Sequence, residues 1–260
     1  MTPESVNALF DLQGSTAIVT GASRGIGRTL AMGLAAAGAD IVLTARSQGS
    51  LQDVSSCIDA LGRHCHVRTL DVSRTGSIEE LFGSLQADGI LADILVNNAG
   101  VEQVCPSVDV DAQLWDTICD TNLKGSFFMA QHFARALLAH DKQGSIINLG
   151  SLTSAVGVPG ATAYTSSKSG LLGMTRALST EWAPRGIRVN AMGPGYFRTA
   201  LTEEFYQDAQ WQDTMLSKIP MQRFGRLEDL VGLGVFLAGD ASAYVSGQIF
   251  YVDGGYLAAI

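Results

Sequence analysis

The chain has no concentration of Lys or Arg. Its 17 basic residues face 25 acidic ones, for a net charge of −8 with no basic cluster. That argues against nucleic acid and anionic membrane surfaces as partners. Cysteine is scarce: Cys57, Cys65, Cys105 and Cys119 form no C-x-x-C and no metal-ligand spacing. They are expected to be buried or inert thiols in a reducing compartment, and no metal is expected. No uninterrupted apolar stretch approaches the roughly 18 to 20 residues of a membrane span. The opening MTPESVNALFDLQG carries acids and no basic flank, so no secretory signal is expected there. A soluble cytoplasmic protein is the expectation. Low complexity, Pro-rich linkers and internal repeats are also missing.

What is present is apolar material in quantity. Apolar residues make up 47% of the 260 and charged residues 16%, enough for a large core. A chain of this length can form one α/β domain. Strand-like runs alternate with helix-like ones throughout. The expected strands are STAIVT (15–20), DIVLTA (40–45), HVRTL (66–70), DILVNN (93–98), SIINLG (145–150), IRVNAM (187–192) and QIFYVDGG (248–255). Helices are expected over 25–38, 49–62, 75–87, 111–140, 162–183 and 228–239. Near-continuous apolar strands alternating with helices predict a seven-stranded parallel sheet covered on both faces, a doubly wound Rossmann-like single domain.

The first strand runs into TGASRGIG, residues 20 to 27. Gly21, Gly25 and Gly27 let the backbone turn sharply and approach a bulky ligand. A helix starting near Gly25 would offer free N–H groups to a pyrophosphate, in the strand–turn–helix context of a dinucleotide site. The second strand ends Thr44-Ala45-Arg46-Ser47, without the acid that usually binds the ribose hydroxyls of NAD. Arg46 and Arg24 instead suit a 2′-phosphate, so NADP(H) is expected over NAD(H). The alternative is that either arginine only faces solvent.

Tyr164 and Lys168 lie four residues apart in AYTSSKSG, on one helix face. A free tyrosine titrates near 10, and a nearby ammonium stabilises the phenolate. The pair could exchange a proton with a carbonyl or alcohol oxygen while a nicotinamide carries the hydride, and the lysine could hold the ribose. The plain alternative is a helix-surface pair. Ser151, at the end of a strand, could orient the substrate oxygen. Asn122 sits inside a helical stretch, where its poor propensity suggests a bend or a held water. Asn97 and Asn98 could cap a strand end and approach the cofactor, and Asp71 could accept from the adenine amine.

These pieces, in this order, resemble the short-chain dehydrogenase/reductase family. The matching segments are TGASRGIG, Asp71-Val72, NNAG (97–100), Asn122, Ser151, Tyr164-x-x-x-Lys168 and PGYFRT (194–199). The resemblance implies a catalytic tetrad. Tyr164 is its general acid/base and Ser151 positions the substrate oxygen. Lys168 lowers the tyrosine pKa and binds ribose, and Asn122 holds a proton-relay water. It implies cofactor contacts from Gly21, Ser23, Arg24, Gly25, Ile26, Gly27, Arg46, Asp71, Val72, Asn98, Ala99, Gly100, Tyr164, Lys168, Pro194, Gly195 and Thr199. It also implies a homotetramer with the C-terminal VDGGYLAAI near a subunit contact.

Substrate choice in this family depends on the segment after Pro194, expected here as a lid over about 195–220, and on the loop after Ser151. PGYFRT, Trp211 and IPMQRFG resemble sugar-acid members such as gluconate 5-dehydrogenase and 2-deoxy-gluconate 3-dehydrogenase. Tyr196, Phe205, Tyr206 and Trp211 could pack a sugar's apolar face, or simply pack the lid onto the domain. Arg198 could meet a carboxylate or lie on the surface. A secondary alcohol and ketone on a sugar, polyol or sugar acid are the expected substrates. A 3-oxoacyl-carrier-protein reductase is the alternative, and a non-catalytic NADP-binding protein a lesser one.

Overall fold

The structure is a computed structural model that describes residues 2–200, 202–203 and 205–260, with the backbone alone at Phe205. Seven strands form one sheet in the order β3-β2-β1-β4-β5-β6-β7. Every pairing is parallel. A short helix α1 (Pro3–Ala8), capped by Thr2, precedes β1 (Thr16–Thr20). Then come α2 (Gly25–Ala36), β2 (Asp40–Ala45), α3 (Gln52–Ala60), β3 (Cys65–Thr69) and α4 (Thr75–Ala87). The second half runs β4 (Ile94–Asn97), α5 (Ala112–Cys119), α6 (Gly125–Ala139), β5 (Gly144–Leu149), α7 (Thr162–Trp182) and β6 (Ile187–Pro194). It closes with α8 (Ala209–Lys218), α9 (Val231–Ala238) and β7 (Ile249–Val252).

The strands are buried on both faces because consecutive apolar residues point opposite ways. Ile18 and Val42 pack with Phe133, Leu137 and Leu178 of α6 and α7. Their neighbours Val19 and Leu43 pack on the other side with Leu30 and Leu34 of α2 and Leu237 of α9. The chain reverses direction across the sheet between β1 and β4, so a crevice opens there at the carboxyl ends of the strands.

Several boundaries differ from the sequence reading. Gly254 and Gly255 take φ of +66° and +90°, which ends β7 at Val252 rather than near 255. The helix expected over 111–140 is broken into α5 and α6 by a π-helical turn at Asp120–Lys124 that contains Asn122. The bend suggested by that asparagine is therefore present. Helix α1 was not expected. Cys57 is exposed rather than buried, because it lies on the solvent side of α3, whose inward residues are Val54 and Ile58.

Candidate active site

The glycine turn and the NNAG segment are built as one unit. Gly21 and Gly25 take left-handed φ values of +64° and +56°, which lets the chain leave β1 and enter α2 without a loop. A Cβ at Gly27 would stand 2.4 Å from Asn98 Nδ2 and 2.5 Å from the Gly21 carbonyl oxygen. The Asn98 amide donates to the carbonyls of Thr20 (2.8 Å) and Gly21 (3.1 Å). The backbone N–H groups of Asn98 and Ala99 both donate to Thr20 Oγ1 at 2.9 Å. Arg24 begins α2 in extended conformation without a side-chain cap, so the first-turn N–H groups open toward the cleft.

That cleft has a volume of ≈ 830 Å³ and runs along the carboxyl edge of the sheet. Gly21, Ser23, Arg24, Gly25, Ile26, Arg46, Asp71 and Val72 line one end. Asn98, Ala99, Gly100, Pro194, Gly195 and Thr199 line its middle. Gly27 lies behind the turn and is buried against Asn98. Arg24 and Arg46 are exposed, with no ion pair among the described residues. Asp71 Oδ1 accepts from the backbone and hydroxyl of Ser73 at 3.1 and 2.7 Å. A glycine cradle, an uncapped helix start and two guanidiniums fit a phosphate-bearing dinucleotide.

Asn97 does other work than expected, and Asn122 has a structural task in the loop after β4. Asn97 points into the core, where its amide donates to Asn148 Oδ1 (2.9 Å) and the Ser126 carbonyl (3.1 Å). It does not reach the cleft. Asn122 is 1% exposed. Its Oδ1 accepts from Val101 N–H at 2.8 Å, and its Nδ2 donates to the Val101 carbonyl (2.9 Å) and Ser167 Oγ (3.1 Å). The side chain thus clamps the loop after β4 onto α7.

At the other end of the cleft, Ser151, Tyr164 and Lys168 converge. Ser151 follows β5, and its Oγ accepts from Thr153 N–H at 3.2 Å. Tyr164 and Lys168 occupy successive turns of α7, with the ammonium 5.6 Å from the phenol ring centroid. Lys168 Nζ donates to the Leu149 carbonyl at 2.7 Å. Burial lowers the lysine from 10.5 to about 8, partly opposed by the Glu102 carboxylate. The phenol of Tyr164 is raised above its ordinary value by burial first and by Glu102 second, against a lowering hydrogen bond with Ser151. The depression expected from Lys168 does not arise: desolvation of the phenolate dominates, and Ser151 is the group that opposes it.

The sequence reading missed Glu102. It lies in the loop after β4 and lines the cleft beside Tyr164 and Lys168. The acid directly after NNAG-Val101 was its only signal.

The segment after β6 supplies aromatics. Tyr196, Phe197, Tyr206 and Trp211 line the cleft. Tyr206 packs edge-on against Trp211 (5.2 Å) and Phe224 (4.8 Å), and Tyr196 against Trp211 (5.7 Å) and Tyr256 (5.3 Å). They both pack the segment onto the domain and face the cleft. The ring of Phe205 lies outside the described residues. Arg198 does not line the cleft; it forks onto Glu203 at 2.8 and 2.5 Å on the surface.

The family described as Enoyl-(Acyl carrier protein) reductase matches residues 21–257. Gluconate 5-dehydrogenase of Gluconobacter oxydans is 38% identical over 247 residues, covering 95% of this chain and 96% of that one. A Sinorhizobium meliloti structure described as a short-chain alcohol dehydrogenase is 52% identical, with a TM-score of 0.93 over 97% of this chain and 100% of that one. A gluconate 5-dehydrogenase from Burkholderia cenocepacia, in complex with NADP and tartrate, has a TM-score of 0.95 at 34% identity, over 98% and 100% of the two chains. Agreement of this breadth, in sequence and in fold, establishes that the chain belongs to the short-chain dehydrogenase/reductase family.

Proposed function

We propose that the chain is an NADP(H)-preferring oxidoreductase that interconverts a secondary alcohol and a ketone on a sugar, polyol or sugar acid. The observation that carries this reading is the convergence of Ser151, Tyr164 and Lys168 at one end of a cleft whose other end is a glycine cradle. A nicotinamide, when bound, supplies the hydride acceptor or donor. The chain's own residues handle the proton. In reduction the Tyr164 hydroxyl donates its proton to the carbonyl oxygen as the carbon–hydrogen bond forms, and in oxidation the phenolate takes the hydroxyl proton. Ser151 donates a hydrogen bond to the same oxygen and fixes its position. Lys168, held by Leu149, keeps a positive charge beside the phenolate as it develops. Asn122 positions the loop that closes this corner.

NADP preference rests on Arg24 and Arg46 and on the absence of an acid at the end of β2. The complex of the Burkholderia relative with NADP supports it. The 195–220 segment is read as a lid, since its aromatics border the substrate end. A cytoplasmic homotetramer is the accompanying expectation; no helix among the described residues is long and apolar enough to cross a membrane.

The test is an activity screen of purified protein with NADP(H) and NAD(H) run separately, on gluconate, 5-ketogluconate, polyols, sugars and an acetoacetyl thioester. NADP-linked turnover of a polyhydroxy compound is the expected result. Reduction of the thioester alone would move the chain to the acyl-reductase reading, which requires a local basic docking face for an acidic carrier on a chain of net charge −8.

A further inference from the structure

The substrate end of the cleft has an unusual charge balance. Among the described residues that line the cleft, the charged side chains are Arg24, Arg46, Asp71, Glu102 and Lys168. The first three belong to the dinucleotide end, after β1, β2 and β3. Only Glu102 and Lys168 stand at the reacting end. Lys168 is 5% exposed and already donates to Leu149 at 2.7 Å. Arg198 is turned away and forked onto Glu203. No guanidinium therefore waits for a carboxylate near Tyr164.

Glu102 is held in place from both sides. Val101 is clamped by Asn122 through two hydrogen bonds of 2.8 and 2.9 Å. Cys105 N–H donates to the Gly160 carbonyl at 2.8 Å, tying the loop to the segment before α7. Between these anchors the Glu102 carboxylate is half-buried, and no hydrogen bond or ion pair engages it among the described residues. A half-buried carboxylate accepts hydrogen bonds only, so it is satisfied by hydroxyl donors and repels a second carboxylate.

We infer that Glu102 is a specificity-determining residue that selects an uncharged polyhydroxy substrate, such as a sugar alcohol or ketose, and discriminates against sugar acids. The inference rests on the oxidoreductase reading above and narrows its substrate class. Substrate hydroxyls donate to the Glu102 carboxylate and complete its hydrogen bonding. The carboxylate of a sugar acid at that end would meet the like charge of Glu102, while the one cation there, Lys168, is already engaged by the Leu149 carbonyl and by Glu102 itself.

The test compares gluconate with gluconamide, which share every hydroxyl and differ in charge. Each is titrated into the enzyme–NADPH complex of the wild type and of Glu102→Gln, with NADPH fluorescence as the signal. kcat/KM for gluconate and sorbitol is measured with NADP in parallel. The wild type is expected to bind gluconamide about tenfold or more tightly than gluconate. In Glu102→Gln the ratio should fall toward one, chiefly by tighter gluconate binding, and the gluconate-to-sorbitol ratio of kcat/KM should rise. An unchanged ratio, or wild-type preference for gluconate, overturns the inference while sugar turnover leaves the oxidoreductase reading standing. If neither compound binds either protein and only the thioester is reduced, both readings fall. NADPH binding by the variant verifies its fold.

Discussion

Tyr164 and Lys168 share a helix face and one corner of the cleft, and each is shifted by burial in the direction that disfavours its charged form. The raised phenol keeps its proton at neutral pH, the form that donates to a carbonyl. Ketone reduction is thus expected to hold at neutral pH and fall on the alkaline side, with alcohol oxidation rising there, as kcat/KM against pH would show. Glu102 adds to the shift, so Glu102→Gln should move the oxidation limb to lower pH. Tyr164→Phe should lose about 10²- to 10⁴-fold in kcat while binding NADPH normally. Equal turnover in the two proteins would remove the phenol from the mechanism. Lys168 carries a stability consequence as well. Its folded pKa of about 8 lies below its ordinary 10.5, so the unfolded chain holds the proton more tightly. Below pH 8 the buried ammonium costs roughly 3 kcal/mol, and the cost fades as pH rises from 8 to 10.5. Lys168→Met removes that cost but orphans the Leu149 carbonyl, a loss of about 1 kcal/mol. The inactive variant should therefore melt higher than wild type at pH 7, with the gap closing by pH 10.

The elements place these groups by means that differ in how visible they are. The turn from β1 into α2 is legible because the conformation at Gly21 and Gly25 requires glycine. Gly27 is a glycine for a different reason: its Cβ would strike both the Asn98 amide and the Gly21 carbonyl. Gly27→Ala should break the link between the turn and the NNAG segment. About 1 to 3 kcal/mol of stability and most NADPH affinity should go with it, as denaturant melts and fluorescence titration would record. The π turn at Asp120–Lys124 was foreshadowed by a poor helix former in a helical run. The hydrogen bonds of Asn122 to Val101 were not. A side-chain amide makes local hydrogen bonds with whatever backbone the fold brings near, and Val101, 21 residues away, is settled only by packing.

At the scale of the whole molecule, the proposed NADP preference rests on residues from separate crossovers meeting at one edge. Arg24 follows β1 and Arg46 follows β2, and both border the dinucleotide end of the cleft. Exchanging both for Ala should weaken NADPH at least about tenfold and leave NADH nearly unchanged, because only the 2′-phosphate distinguishes the two. Strict NAD use by the wild type would show that these arginines only face solvent. The alternation of apolar strands with helices determined the parallel sheet from sequence alone, since a strand buried on both faces must be apolar throughout. Spacing along the chain likewise determined the glycine turn and the Tyr164–Lys168 pair, which are local features. Only the tertiary structure decided that Asn97 serves the core, that Arg198 turns to Glu203, and that Glu102 enters the cleft. The physical reason is the same in each case. Where a polar side chain goes depends on desolvation and on partners distant in sequence, and those exist only after the chain has folded.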